Sequence, residues 1–466
     1  MNMPVGGETR LTDDDLVALA NDFFLLGALQ TTVIRGATLE IFLTNLRSVL
    51  LHRASAGRSE SSQIDDAVVG LFCALAQQCF LNEYVYAQSD AETRQADRLR
   101  QSLLERVSAG DEISPLLLAA VAAYCPLHSL PAATSLLRRE WPQFAADLLQ
   151  QQVRDPLEEA EDRRNIPALT PVDDDVSLRV LQQYDENPYP RWSIHPLAFL
   201  RGEPNGKGEA AGRNERRPRE EILIAGCGTG EHSFDIAQKY PDARILAIDL
   251  SRTALAYAQR KSREQGLRNI EYAQADILKL ATIGRAFDRI ESVGVLHHLA
   301  DPVAGWRILL SLLAPNGIMR VGLYSEAARR SIVEARAIIA ERGYRATAAD
   351  IRAFRQTIIR ARDDPRWDTI IKTVDFYSMS GCRDMLFNVM EHRFTIPEIA
   401  AFLGEHGLSF LGFELDAEII GTFQEQYPGD TALTSLDHWT DFEAAHPQTF
   451  RNMYQFSVGK NGQSPR

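Results

Sequence analysis

The chain changes its hydrophobic rhythm once. Up to about residue 150 apolar residues recur at helical spacing, as from Ile64 to Ala87. Helix-start chemistry goes with them: Thr12 with Asp15 three positions on makes a capping-box pattern, and Ser114-Pro115 offers an N-cap followed by proline at the first helical position. This predicts an all-helical region without an internal repeat. Beyond residue 220 the pattern becomes short apolar runs closed by turn residues: Ile222 to Ala225, Ile245 to Ile248, Asn269 to Ala275, a run opening at Phe287, and Ile318 to Tyr324. Such runs, alternating with helical segments, predict a mostly parallel, doubly wound sheet. Phe410 to Phe413 and Tyr454 to Val458 read as two further strands. Between the fifth and sixth, Ser325 to Arg393 is an insertion of helical pattern, including Ala327 to Ile339 and Ile351 to Ala361. It leaves the carboxyl edge of the sheet, where open α/β folds bind ligands.

The densest chemistry lies where the first run empties into Gly226-Cys227-Gly228-Thr229-Gly230. Glycine permits positive φ and close approach of a ligand. The turn sits between a strand and a helix start, whose free N–H groups favour an anionic or carboxylate-bearing ligand. Asp249 ends the second run, where a doubly wound sheet holds the hydroxyls of a ribose. A nucleoside-bearing cofactor follows. The dinucleotide fingerprint would place a third glycine at 231, where Glu231 stands instead.

The spacing G-x-G-x-G, together with Asp249, resembles the class I S-adenosylmethionine-dependent methyltransferases. Ala275-Asp276-Ile277 matches the family's acidic residue beside the adenine amino group, Val293-Gly294-Val295-Leu296-His297-His298-Leu299 its segment beside the methyl donor, and Leu313 to Gly317 resembles its turn into the fifth strand. The resemblance implies an α/β, doubly wound, mostly parallel seven-stranded Rossmann-like sheet, preceded by an all-helical domain and carrying a helical cap. It implies S-adenosyl-L-methionine as cofactor, held by Ala225, Gly226, Cys227, Gly228, Thr229, Gly230, Asp249, Leu250, Asp276, Ile277 and Val293. One position departs: the family often has an acidic residue two before the first glycine, and here that residue is Ile224.

Domain boundaries follow as 1–153 for the helical domain, 154–220 for a linker and lid segment, and 221–460 for the methyltransferase domain with its insertion at 325–393. Within the lid, Tyr184-Asp185-Glu186-Asn187-Pro188-Tyr189-Pro190-Arg191-Trp192 cannot be a helix interior, because the two prolines lack donors and push the residues before them into extended conformations. It resembles a segment of methyltransferases that carry an N-terminal helical or tetratricopeptide-like region. Its likeness to the N-P-P-Y loop of amino-methylating enzymes is superficial, since it precedes the glycine turn. The segment is expected to cover the cofactor site.

On the acceptor side His297 and His298 are candidates for proton removal. One ring capping the following helix is the alternative. Tyr324 ends the fifth strand close by, and Tyr184, Tyr189, Arg191, Arg330 and His392 are candidate acceptor-pocket residues. Arg329 and Arg330 suit a carboxylate or phosphate, or else an exposed helix face. Arg383, Asp384, Asn388, Glu391 and His392 have spacing compatible with one helical face, with Glu391-His392 as an acid/base pair or a structural network. The densely apolar stretch Leu71 to Tyr84 reads as a buried helix, with a substrate-facing wall as the rival.

A net charge of −13 argues against broad nucleic-acid binding and leaves room only for a local basic patch. The five cysteines, Cys73, Cys79, Cys125, Cys227 and Cys382, form no C-x-x-C pair, so neither zinc nor a disulfide framework is indicated, and no acidic pair suggests magnesium. With no signal-like start and no membrane-spanning run, a cytoplasmic location is expected. The acceptor is expected to be a peptide, protein or elaborate small molecule. A cofactor-retaining binding protein, or a transferase of another group, are the alternatives.

Overall fold

The computed structural model describes residues 11–56, 65–193, 219–451 and 453–460. They form two compact units. One holds the amino-terminal helices through Glu161, residues 191–193 and Ile338 to Phe387; the other holds Asp162 to Pro190 and residues 219–337, 388–451 and 453–460.

The second unit is built on seven strands among the described residues: β1 (Glu221–Ala225), β2 (Arg244–Asp249), β3 (Ile270–Gln274), β4 (Phe287–Val293), β5 (Leu313–Tyr324), β6 (Leu408–Phe413) and β7 (Met453–Lys460). Their order is β3-β2-β1-β4-β5-β7-β6, and only β7 runs antiparallel to its neighbours. The apolar runs are continuous because both faces are buried. Leu223, Ala225, Leu246 and Ile248 pack on one side with Trp306 and Leu309, while Ile222, Ile224, Ile245 and Ala247 pack on the other with Leu255 and Ala256. The turn expected at Leu313 to Gly317 is taken up inside β5: Leu313 already pairs with Phe287, and the ladder resumes at Arg289 and Ile318 after a register shift.

Residues 154–175, read as a linker, hold the helix Asp155–Asn165 and a bridge from Ala168 to Gln274 at the edge of β3. The insertion read at 325–393 divides between the two units. Its helix Ala348–Arg360 joins the amino-terminal helices through Arg355, which is fully buried and donates to Glu40 at 2.7 and 2.9 Å. Arg355 also reaches the Val85 and Phe376 carbonyls, so its buried charge is both paired and hydrogen-bonded.

In the same unit every residue from Leu71 to Leu81 is buried in the helix Asp66–Leu81, and Gln78 donates to the Leu29 and Thr32 carbonyls. The buried-helix reading of this stretch holds. Both expected helix starts form: the Thr12–Asp15 capping box and the Ser114 cap ahead of Pro115.

Candidate functional site

At the end of β1 the backbone turns through Gly226 (φ 81°), Gly228 (φ 52°) and Gly230 (φ 86°), all left-handed. A Cβ on Gly226 would strike the Val295 side chain, and one on Gly228 would lie 2.5 Å from the carbonyl oxygen of Tyr189. The close approach at Gly228 is therefore made by this chain's own arm. Thr229 donates its N–H to that same carbonyl at 3.3 Å and its hydroxyl to the carbonyl of Pro190. Ala225 and Cys227 are buried, and burial pushes the Cys227 thiol well above its ordinary range.

Asp249 closes β2 beside this turn. Its Oδ2 accepts the Gly228 N–H at 2.8 Å and its Oδ1 the Ser251 N–H at 2.9 Å. Burial raises its carboxyl above the usual range, against the pull of those N–H groups and with help from the charge of Asp185. The next residue, Leu250, accepts from Gln274 of β3 at 2.8 Å. Asp276, fully buried after β3, caps the turn Ile277–Thr282 with Oδ1, while Oδ2 has no hydrogen-bond partner among the described residues. An orphaned carboxylate oxygen costs about 1–3 kcal/mol, which a donor on a bound ligand would relieve. Ile277 is buried beside it.

Ile224 is fully apolar in its setting, and its register partner on β4 is Glu291. That carboxylate is no spare. Burial would raise it, but His232, Arg320 and Arg289 hold it below its ordinary range.

Past Val293, which ends β4 opposite Gly322, the short turn Leu296–His298 carries both histidines. The His297 ring stacks on Tyr324 (centroids 3.6 Å apart, 21° between planes), and the Arg329 guanidinium covers that tyrosine ring, also at 3.6 Å. His297 Nδ1 accepts the Tyr324 N–H at 3.3 Å. Burial, with the charges of His298, Arg329 and His392, holds its imidazolium form well below the usual range. His298 Nδ1 bonds the Met390 carbonyl at 2.7 Å, so this ring secures the returning segment rather than capping the next helix, which Asp301 caps.

That segment does not lie on one helical face with Arg383 and Asp384. The helix Met379–Phe387 stops, and Asn388 accepts the Met390 N–H with its own side chain, an Asx turn that leads the chain away extended. It then crosses the carboxyl ends of the strands: His392 donates its N–H to the His297 carbonyl at 2.8 Å, and Phe394 donates to Tyr324 at 2.8 Å. The His392 Nε2 is buried without a partner among the described residues.

The two expected arginines separate. Arg329 is buried and forks onto Glu391 at 2.8 and 3.0 Å, joined there by Arg336 at 3.1 Å, so it is committed to a structural ion pair and not held out for an anion. Arg330 opens the helix Arg330–Glu341, where its charge bears on Glu443. Tyr184 links the Ser251 hydroxyl, through its carbonyl, to the Asn388 amide, through its own hydroxyl. Tyr189 meets the glycine turn by its backbone. Arg191 is grouped with the helical unit, its guanidinium 4.3 Å from the Phe80 ring.

Sequence reasoning passed over Asp185 and Thr170. Asp185 accepts from the Ser251 hydroxyl at 2.7 Å and from the Thr253 N–H, and the Thr170 hydroxyl accepts the Asp276 N–H at 2.8 Å. Both partners lie more than sixty residues away in the chain, so no local pattern announces them.

Among the described residues no group of three His, Cys, Asp or Glu is placed to hold a metal ion, and no helix is long and apolar enough to cross a membrane.

Comparison with known proteins agrees with this geometry. Residues 218–353 match the model of a methyltransferase domain family. An uncharacterised protein of Synechococcus sp. is 31% identical over 265 residues, covering 52% of this chain and 60% of the relative. Trans-aconitate 2-methyltransferase of Deinococcus radiodurans is 34% identical over 105 residues, covering 22% of this chain and 38% of that enzyme. The chain thus spans less than two thirds of either relative. Among solved structures, PKMT2 from Rickettsia typhi in complex with AdoHcy aligns with a TM-score of 0.41 and 17% identity over 52% of this chain and 49% of that one. The match over residues 218–353 takes in the glycine turn and Asp249, and the second unit carries the sheet order of the class I S-adenosylmethionine-dependent methyltransferase fold.

Proposed function

We propose that this protein is an S-adenosylmethionine-dependent methyltransferase acting on a peptide, a protein or an elaborate small molecule. The observation that carries the reading is the pair of carboxylates at the ends of neighbouring strands. Asp249 spends two of its roughly four acceptor sites on backbone N–H groups, which leaves two for ribose hydroxyls. Asp276 keeps one buried oxygen unpaired, suited to an adenine amino group. The turn Gly226 to Gly230 would lie along the methionine part of the cofactor, with Leu250, Ile277 and Val293 as apolar contacts.

S-adenosylmethionine, when bound, supplies an electrophilic methyl group. The protein's part is to align an acceptor with it and to deal with the acceptor's proton. His297, His298 and Tyr324 line the proposed acceptor side, and the Arg329 guanidinium, held by Glu391, lies against the Tyr324 ring. Tyr184, Tyr189, Arg330 and His392 are proposed as further acceptor-side residues.

The test has two stages. Calorimetric titration with S-adenosylmethionine and S-adenosylhomocysteine should give saturable one-site binding; no binding by the folded protein refutes the reading. Deleting the chain in its host and following methyl-labelled methionine into proteins and metabolites by mass spectrometry then identifies the acceptor. Binding without any lost methylation would point to a cofactor-retaining binding protein.

A further inference from the structure

The two adjacent imidazoles have opposite hydrogen-bond partners. A backbone N–H can only donate and a carbonyl can only accept. The Tyr324 N–H points at Nδ1 of His297, and the Met390 carbonyl receives Nδ1 of His298. We infer that His297 and His298 are fixed in opposite tautomers, His297 as an Nε2–H donor and His298 as the Nδ1–H form whose bare Nε2 is the one imidazole nitrogen of the pair able to take a proton.

For His297 the argument is steric as well as electrostatic. A proton on Nδ1 would face the Tyr324 N–H at 3.3 Å, so neither the other tautomer nor the imidazolium fits. Its surroundings agree. The ring is fully buried, lies against Tyr324 on one face, and has His298, Arg329 and His392 as neighbouring charges or potential charges, all of which oppose a second proton. Glu391 is occupied by Arg329 and Arg336. The Nε2–H therefore remains a donor, and it finds no acceptor among the described residues.

His298 differs because its Nδ1–H is already satisfied by Met390. Taking a proton on Nε2 leaves that bond intact and creates no donor-to-donor clash.

This rests on the proposed function for its consequence. An acceptor that must lose a proton gives it to Nε2 of His298; the electron pair of the broken bond stays on the acceptor's heteroatom, and His298 becomes an imidazolium still bonded to Met390. His297 keeps its single proton throughout and positions the acceptor by donating to it. The general base of the pair is then His298, and His297 is a positioning residue.

The tautomers are readable without any turnover. Long-range ¹H–¹⁵N correlation spectra of the uniformly labelled full chain near neutral pH should show one ring with Nε2 protonated and Nδ1 bare, and a second with the reverse pattern. Loss of the first pattern in His297→Gln and of the second in His298→Asn assigns them. Should one variant fail to fold, the other assigns its ring, and the ring-to-ring Overhauser contact across 4.4 Å assigns the remaining one. On acidification the His297 ring should keep its single proton for as long as the protein stays folded. A protonated Nδ1 on His297, a bare Nδ1 on His298, or a His297 ring that gains a second proton in the folded protein overturns the inference. Calorimetry with S-adenosylmethionine on the same sample separates the two ideas. Absent binding with the expected tautomers refutes the methyltransferase reading alone, while binding with reversed tautomers refutes only the assignment of roles.

Discussion

Asp249 is the position where cofactor affinity and loop order are tied together, and its removal should therefore be felt twice. In Asp249→Ala the cofactor loses an ionised acceptor for its ribose, a loss worth about 1.5–3 kcal/mol, or roughly ten- to a hundred-fold in Kd. The same substitution strips the acceptor from the Gly228 and Ser251 N–H groups, now held at 2.8 and 2.9 Å, so the glycine turn keeps its Gly226 and Cys227 bonds to the Ile248 carbonyl but loses its side-chain tie to β2. Asp249→Asn keeps one acceptor oxygen but sets an amide N–H₂ against one of those donors, and should fall between wild type and alanine. Burial has already raised the carboxyl of Asp249, so the folded protein holds this proton to higher pH than the unfolded chain does. By linkage this group costs stability as pH rises from its unfolded value through its folded one. Ribose hydroxyls favour the ionised form, so cofactor affinity should fall as pH drops through that raised value, and the fall should be flattened in Asp249→Asn. Calorimetric titration across acid to neutral pH, with a thermal melt of each variant, reads all of this. A folded Asp249→Ala protein with wild-type affinity would remove Asp249 from the cofactor site.

Three further outcomes are expected. Gly228→Val combines a left-handed backbone, costing about 1–2 kcal/mol, with a Cβ 2.5 Å from the Tyr189 carbonyl, and should abolish the thermal stabilisation that S-adenosylhomocysteine gives the wild type; an equal stabilisation would mean the turn does not cradle the ligand. Glu391→Gln leaves the buried Arg329 without its counter-charge and should cost about 3–5 kcal/mol in urea unfolding. Because Glu391 is held below the ordinary carboxylate range, its contribution should be complete above that range and lost as pH falls through the folded value, a slope absent from the glutamine variant. Glu40→Ala should destabilise the helical unit by about 3–5 kcal/mol, and replacing Glu40 and Arg355 together by apolar residues should cost less than the two single losses added, as hydrogen exchange of the helix Ala37–Ser55 would report.

What could be read from the chain alone is what local chemistry enforces. A strand buried on both faces must be an apolar run, so β1 and β2 announce themselves, and a turn that must pass through left-handed φ three times in five residues announces itself in glycine. Asp249 and Asp276 follow from these, being the polar residues at which the second and third runs stop. The positions that resisted reading take their meaning from partners far away in sequence. Arg355 looks like one more arginine on an amphipathic helix until Glu40, 315 residues earlier, is seen to neutralise it, and that pairing draws the middle of the insertion to the amino-terminal helices. Arg329 looks available to an anion until Glu391 takes it. His297 and His298 are the sharpest case, because two identical neighbours acquire different chemistry from groups that carry no sequence signal at all, the N–H of Tyr324 and the carbonyl of Met390. Backbone donors and acceptors are the same at every residue, so only the path of the chain decides which nitrogen of which ring they meet. The residue types at a site can thus be legible while the division of labour among them is not.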